Sequence, residues 1–126
     1  MDTLVRFGFS IEEIKNMMDS NMEIENINDK NILKLIKLLE FENCTERIIK
    51  NIFITNPFYL SRNPDDIEKL FNELKKLGVK KLNIFFDTNP YLLNLSEDYL
   101  KMLIKNKKLK GNELIDFLYK EISHII

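Results

Sequence analysis

At 126 residues, with 44% hydrophobic and 31% charged side chains, the chain is long enough for one globular domain with a core of its own. Its formal net charge of −1 demands no polyanionic partner, and one cysteine and one histidine exclude an intramolecular disulfide, a multi-cysteine metal site and a histidine metal cluster or charge-relay triad within one chain. Three glycines and three prolines leave no room for long linkers.

In chain order, the N-terminus Met1-Asp-Thr-Leu-Val-Arg6 lacks the basic region and apolar stretch of a secretory leader and the arginine-rich character of a transit peptide. No stretch reaches transmembrane length. These features predict a cytoplasmic protein, and the abundance of Asn, Ile and Lys beside few Ala, Gly and Arg points to an AT-rich, bacterial genome.

Gly8 is the first of four predicted helix stops, the others being Asn43, Gly78 and Gly111. Gly and Asn tolerate the left-handed conformation that closes a helix C-terminus. Ser10-Ile11-Glu12-Glu13 is a capping box that opens the next helix, and Thr45 repeats the cap without the glutamate. The helix after each stop carries an apolar column: Ile14, Met17 and Met18, then Ile49, Ile52 and Phe53, then Leu82, Phe85 and Phe86. Each column ends in a polar pair and a break, Ser20-Asn21-Met22, Thr55-Asn56-Pro57 and Thr88-Asn89-Pro90. Proline cannot continue the preceding helix and biases the residue before it towards extended geometry.

A short apolar crossing follows, Phe58-Tyr59-Leu60 or Tyr91-Leu92-Leu93, and then a second long helix. These second helices are predicted to open at Asp29, at Asn63-Pro64-Asp65-Asp66 and at Ser96-Glu97-Asp98. Their core faces are Ile32, Leu35, Ile36 and Leu39, then Ile67, Leu70, Phe71 and Leu74, then Leu100, Leu103 and Ile104, with Lys107 in place of a fourth apolar residue. The same 22-residue step separates each asparagine from the stop that follows it (43 − 21, 78 − 56 and 111 − 89). A recurrence on this scale means stacked helical units. The predicted fold is all-α, a short helical-repeat solenoid in one domain. Its units span about 8–42, 43–77 and 78–110, and residues 112–126 form a terminal helix with Leu114, Phe117, Leu118, Ile122 and Ile125 on one stripe, covering the open end of the stack.

Apolar-x-x-x-Asn-Pro-x-x-Leu occurs twice, from Ile52 to Leu60 and from Phe85 to Leu93. In units of this length, flanked by long helices, it resembles the repeat of the mitochondrial transcription termination factor family over most of the chain, from Phe7 to about Gly111. The first unit departs from the pattern, with Met22 for the proline and Glu25 for the leucine, and family members usually carry more repeats. The resemblance implies a half-doughnut stack of helical triplets that binds nucleic acid along a basic surface and catalyses nothing.

No catalytic constellation is visible, and no cofactor or metal is expected. His124 is read as a surface or end-cap residue and Cys44 as a small buried hydrophobe. Glu12-Glu13, Asp65-Asp66 and Glu97-Asp98 complement helix dipoles. Charge placement says more. Residues 1–46 hold five basic and ten acidic side chains, whereas residues 75–110 hold nine lysines and three acids. Lys75, Lys76, Lys80 and Lys81 surround Gly78, and Lys105, Lys107, Lys108 and Lys110 precede Gly111, so in a stack the two clusters share one edge. That edge suits phosphate contacts on double-stranded nucleic acid. Equally, lysines at helix C-termini complement dipoles and keep a surface soluble, and Arg6, Arg47 and Arg62, of the residue type that dominates bidentate phosphate recognition, lie elsewhere.

The alternative is a protein-interaction scaffold with no nucleic-acid role, with Phe58, Tyr59, Tyr91 and Tyr99 as candidate contacts at the crossings. A homodimer through the terminal helix is a further reading, if Ile115, Tyr119 and Ile126 are exposed on its second face. No membrane contact is expected.

Overall fold

Local capping chemistry fixes where each helix begins. In the computed structural model, which describes residues 2–124 apart from the side chain of Ser123, the Ser10 hydroxyl accepts from the Glu13 amide at 3.1 Å. The Glu13 carboxylate accepts from the Ser10 amide at 2.8 Å, completing the capping box. Thr45 caps its helix by accepting from the Ile48 amide at 3.3 Å. The second helices are capped by Asn28, Asn63 and Ser96, so the helix that opens at Asp29 takes its cap from the residue before it.

About 80% of the chain is helical, and no strand occurs among the described residues. Eight α-helices follow in order: α1 (Asp2–Phe7), α2 (Ile11–Ser20), α3 (Asp29–Phe41), α4 (Glu46–Thr55), α5 (Pro64–Lys76), α6 (Leu82–Thr88), α7 (Glu97–Lys107) and α8 (Gly111–Asp116). The breaks at Asn21, Asn56 and Asn89 each lead into one turn of 3₁₀-helix: Met22–Asn26, Pro57–Ser61 and Pro90–Asn94. The first forms without a proline because the Asn21 side chain accepts from the Glu23 amide at 3.2 Å and starts the turn in its place.

Four corners end α1, α3, α5 and α7 in the same way. The amide two or three residues past the helix reaches back to a carbonyl five residues earlier: Phe9 to Leu4 at 3.1 Å, Cys44 to Leu39 at 3.0 Å, Val79 to Leu74 at 3.0 Å and Leu109 to Ile104 at 3.3 Å. Both members of each pair are apolar, as this type of helix end favours. The residue between them is left-handed, with φ of +116° at Gly8, +67° at Asn43, +107° at Gly78 and +53° at Lys108. The fourth stop is therefore Lys108, and the expectation of Gly111 is corrected. Leu109 is the next apolar residue able to cover Ile104, and its position fixes the turn at Lys108 although a left-handed lysine costs about 1–2 kcal/mol. Gly111 opens α8 instead.

Helices α2, α4 and α6 pack side by side, as do α1, α3, α5 and α7, and the three 3₁₀ turns stack on one another. Between them lies one continuous core. The expected columns supply it, with Met18, Leu103 and Ile104 only half-buried; Ile48 joins as an additional buried residue. On α7 only Leu100 is fully buried, which matches the lysine where a fourth apolar residue would stand.

The terminal segment is helical over the described residues 111–124 but changes type along its length. Helix α8 has no side-chain cap, passes into one π-helical turn over Phe117–Glu121 and ends as 3₁₀-helix at Ile122–His124. Phe117, Leu118 and Ile122 are buried and Leu114 half-buried, so the expected stripe faces inward, while Ile125 and Ile126 lie outside the described residues.

Candidate functional site

The corners form one edge of the molecule. The Asn83 amide group donates to the Asn43 carbonyl at 3.4 Å, tying the second corner to the third. A Cβ placed on Gly78 would lie 3.0 Å from Ile115 Cδ1, so the third corner packs against the helix that follows the fourth. All eight predicted lysines, Lys75, Lys76, Lys80, Lys81, Lys105, Lys107, Lys108 and Lys110, are exposed on these corners. Two of them are engaged locally. Lys75 pairs with Glu42 at 2.7 Å and lies 5.8 Å from the Phe41 ring centre, and the Lys107 ammonium stands 5.7 Å from that of Phe117. Among the described residues, none of the other six makes an ion pair.

Two of the arginines, Arg47 and Arg62, do structural work. Arg47 forms a two-bond pair with Asp87, at 2.9 and 3.4 Å, that bridges α4 and α6. Arg62 donates to the Leu93 carbonyl at 2.6 Å and the Leu95 carbonyl at 3.1 Å, and its burial lowers its pKa.

The opposite edge is built by the 3₁₀ turns, and its organisation rests on the asparagines. The Asn21 amide donates to the Pro57 carbonyl at 3.1 Å and to the Ser61 hydroxyl at 2.7 Å. The Asn56 amide donates to the Pro90 carbonyl at 3.0 Å and to the Asn94 side-chain oxygen at 3.0 Å. Each asparagine thus ends its own helix and holds the next turn. Asn56 Oδ1 is buried without a hydrogen-bond partner. Asn89 has no following turn to hold; it is half-buried and only accepts, from the Tyr91 amide at 3.2 Å.

Three large apolar side chains project from this edge, one per turn: Met22 is 82% exposed, Phe58 58% and Tyr91 51%. Around them Asp19, Glu23, Glu25, Asp65, Asp66 and Asp98 are exposed, and none is ion-paired among the described residues. Tyr59 does not belong to this surface. It is fully buried, its hydroxyl donates to the Leu35 carbonyl at 2.8 Å, and burial pushes its pKa well up. Tyr99 is exposed at the start of α7.

A groove of about 580 Å³ runs between α3 and α5, with Lys34 and Lys37 on one wall, Asp65 and Glu68 on the other and the 80% exposed Phe41 at its end. At the C-terminal end Tyr119 is 48% exposed and meets Phe85 edge-on, and Ile115 is half-buried. His124 is exposed. Cys44 is buried, and its thiol pKa is pushed up to about 12 by burial and then by Glu42 and Asp87, which leaves it inert as a nucleophile at neutral pH. No group of three metal-ligating side chains is present among the described residues, and none of their helices is long and apolar enough to cross a membrane.

Sequence reasoning found the lysines and missed the acidic, apolar edge opposite them. Its signal lies in the residues that flank each asparagine, which read singly as helix-capping acids and core aromatics. The chain matches no family model, and it is similar to no curated protein and to no solved structure.

Proposed function

We propose that the chain is a non-enzymatic, cytoplasmic binding module: a short stack of three helical units resembling the mitochondrial transcription termination factor repeat, which holds double-stranded nucleic acid through its lysine edge. The observation that carries this reading is the exposure of eight lysines on adjoining corners, only one of them in an ion pair among the described residues. Ammonium groups without protein partners are available to displace counterions from phosphates. Duplex is the proposed ligand because the edge offers phosphate contacts; Phe58 and Tyr91 stand on the opposite edge, while the exposed Phe41 lies beside Lys75. With no arginine in the lysine cluster, the binding is indifferent to base sequence.

Fluorescence anisotropy with labelled duplex across a salt titration tests the reading. Replacing Lys76, Lys80, Lys107 and Lys108 by glutamine weakens binding and flattens the salt dependence, by about 0.9 in the log–log slope for each lysine that meets a phosphate. Unchanged binding removes the edge from consideration.

A second reading, a protein-interaction scaffold, is favoured by the groove between α3 and α5 and the exposed Phe41 at its end. Under that reading, Phe41→Ala abolishes partner capture and leaves duplex binding untouched. Self-association through the terminal segment would use Tyr119, and Tyr119→Ser would dissolve it.

A further inference from the structure

We propose that the chain also binds a second copy of itself edge to edge, the lysine corners of one molecule seating on the 3₁₀ edge of the next. This rests on the lysine edge being a docking surface, as above, and adds a second occupant for it.

The two edges are chemical complements. One presents exposed ammonium groups, Lys76, Lys80, Lys105 and Lys108 among them, that make no ion pair among the described residues. The other presents exposed carboxylates at Asp19, Glu23, Glu25, Asp65 and Asp98, likewise without an ion pair among the described residues and interleaved with Met22, Phe58 and Tyr91. An ammonium group is matched by a carboxylate and also by the face of an aromatic ring, and this edge offers both.

The edges also share a period. Helices run between corner and 3₁₀ turn, so each step from one corner to the next is accompanied by a step from one turn to the next. A copy translated along the helix axes and displaced by two layers along the stack therefore sets the Gly78 and Lys108 corners against the first and second 3₁₀ turns, where Glu23, Glu25 and Asp65 stand. The arrangement uses different surfaces on the two partners, which makes it head-to-tail and open-ended. A net charge of −1 opposes it little, since acids are concentrated over residues 1–46 and lysines over residues 75–110.

Because duplex and a second copy compete for the same lysines, nucleic acid dissolves the self-assembly. The acidic edge repels phosphates, so a bound duplex is confined to the lysine edge while the 3₁₀ edge stays open.

Sedimentation velocity of the full chain, over a wide concentration range at low and high salt, tests the proposal. The expected result is a weight-average mass that rises past the dimer at low salt and returns to the monomer at high salt or on addition of duplex. Two variants alter exposed side chains only: Lys76→Gln, Lys80→Gln, Lys108→Gln on one edge, and Glu23→Gln, Glu25→Gln, Phe58→Ser on the other. Each alone stays monomeric, with helicity checked by circular dichroism. Mixed, they form a dimer and nothing larger, because each contributes one intact edge.

A wild-type chain that remains monomeric at low salt overturns the proposal, and so does assembly by either variant alone or a mixture that does not dimerise. The nucleic-acid reading fails separately. A 3₁₀-edge variant that still binds duplex while the wild type does not self-associate sinks only the self-assembly. Self-assembly without duplex binding sinks only the nucleic-acid reading.

Discussion

The middle of the molecule and its C-terminal end are built from similar sequence and held very differently. Helices α4 and α5 have neighbours on both sides, a side-chain cap at each start, and the Pro57 turn between them fastened by Asn21 from one side while Asn56 reaches to the other. The segment after Lys108 starts uncapped, buries three side chains and loses its α-helical register after one and a half turns. Its amphipathic stripe is as good as those of the inner helices. The difference shows that in this chain amphipathicity selects which side faces inward, while neighbours and caps decide whether the helix continues.

That contrast can be broken most severely by truncating aromatics in the two regions. Phe53 is fully buried against Phe9 and Tyr59, with ring centres 5.6 Å away in each case. Phe53→Ala should cost about 3–5 kcal/mol in chemical denaturation. Phe117→Ala, although Phe117 is also buried, should abolish hydrogen-exchange protection over residues 111–124 and move the global transition far less. Next in size is the asparagine pair. Asn56→Ala removes two interlayer bonds and leaves the buried Pro90 carbonyl with one partner fewer, costing about 1–3 kcal/mol. Asn89→Ala, with no layer beyond it, should stay within about 0.5 kcal/mol.

A smaller effect sharpens the comparison from the other side. Lys110 occupies the cap position of α8 in extended geometry and makes no cap bond. Lys110→Asp should supply the missing acceptor and add about 0.5–1 kcal/mol to the terminal segment, visible as slowed exchange there. The smallest effect is a pH dependence at α2. Hydrogen bonding to the Ser10 amide, opposed by slight burial, holds the Glu13 carboxyl below its ordinary value of 4.5. A depressed folded pKa means that its contribution is fully present above about pH 4.5 and is lost as pH falls through the folded value. Glu13→Gln should remove that component from the acid limb of a thermal melt and leave the rest of the curve in place.

Much of this was legible in the residues. Ser10, Thr45, Asn63 and Ser96 announced helix starts, Asn56-Pro57 and Asn89-Pro90 announced breaks, and three of four stops fell where a glycine or asparagine stood. The fourth was misread because composition favours Gly111, whereas the structure follows the apolar pair Ile104 and Leu109 and accepts a left-handed Lys108. The asparagines were read as terminators. Their second role depends on acceptors 34 to 40 residues away and leaves no local trace. From its position Tyr59 is either a contact at the crossing or a core residue, and only the fold decides for the core by bringing its hydroxyl to the Leu35 carbonyl. Lysine exposure could be anticipated from the corners; the pairing of Lys75 with Glu42 could not, since it joins the ends of two helices in different layers.

The forward donation of Asn21 and Asn56 gives the helical layers a grammar. Amides point only towards later layers and proline carbonyls accept only from earlier ones, so residues 43–77 carry one plug, Asn56, and one socket, the Pro57 turn. A tandem duplication of that block would arrive with both fittings, receive the upstream plug and offer its own downstream. The asparagine links would carry over, while Arg47 and Asn51 of the first copy would face Ile54 of the second in place of Asp87 and lose their bonds to that carboxylate.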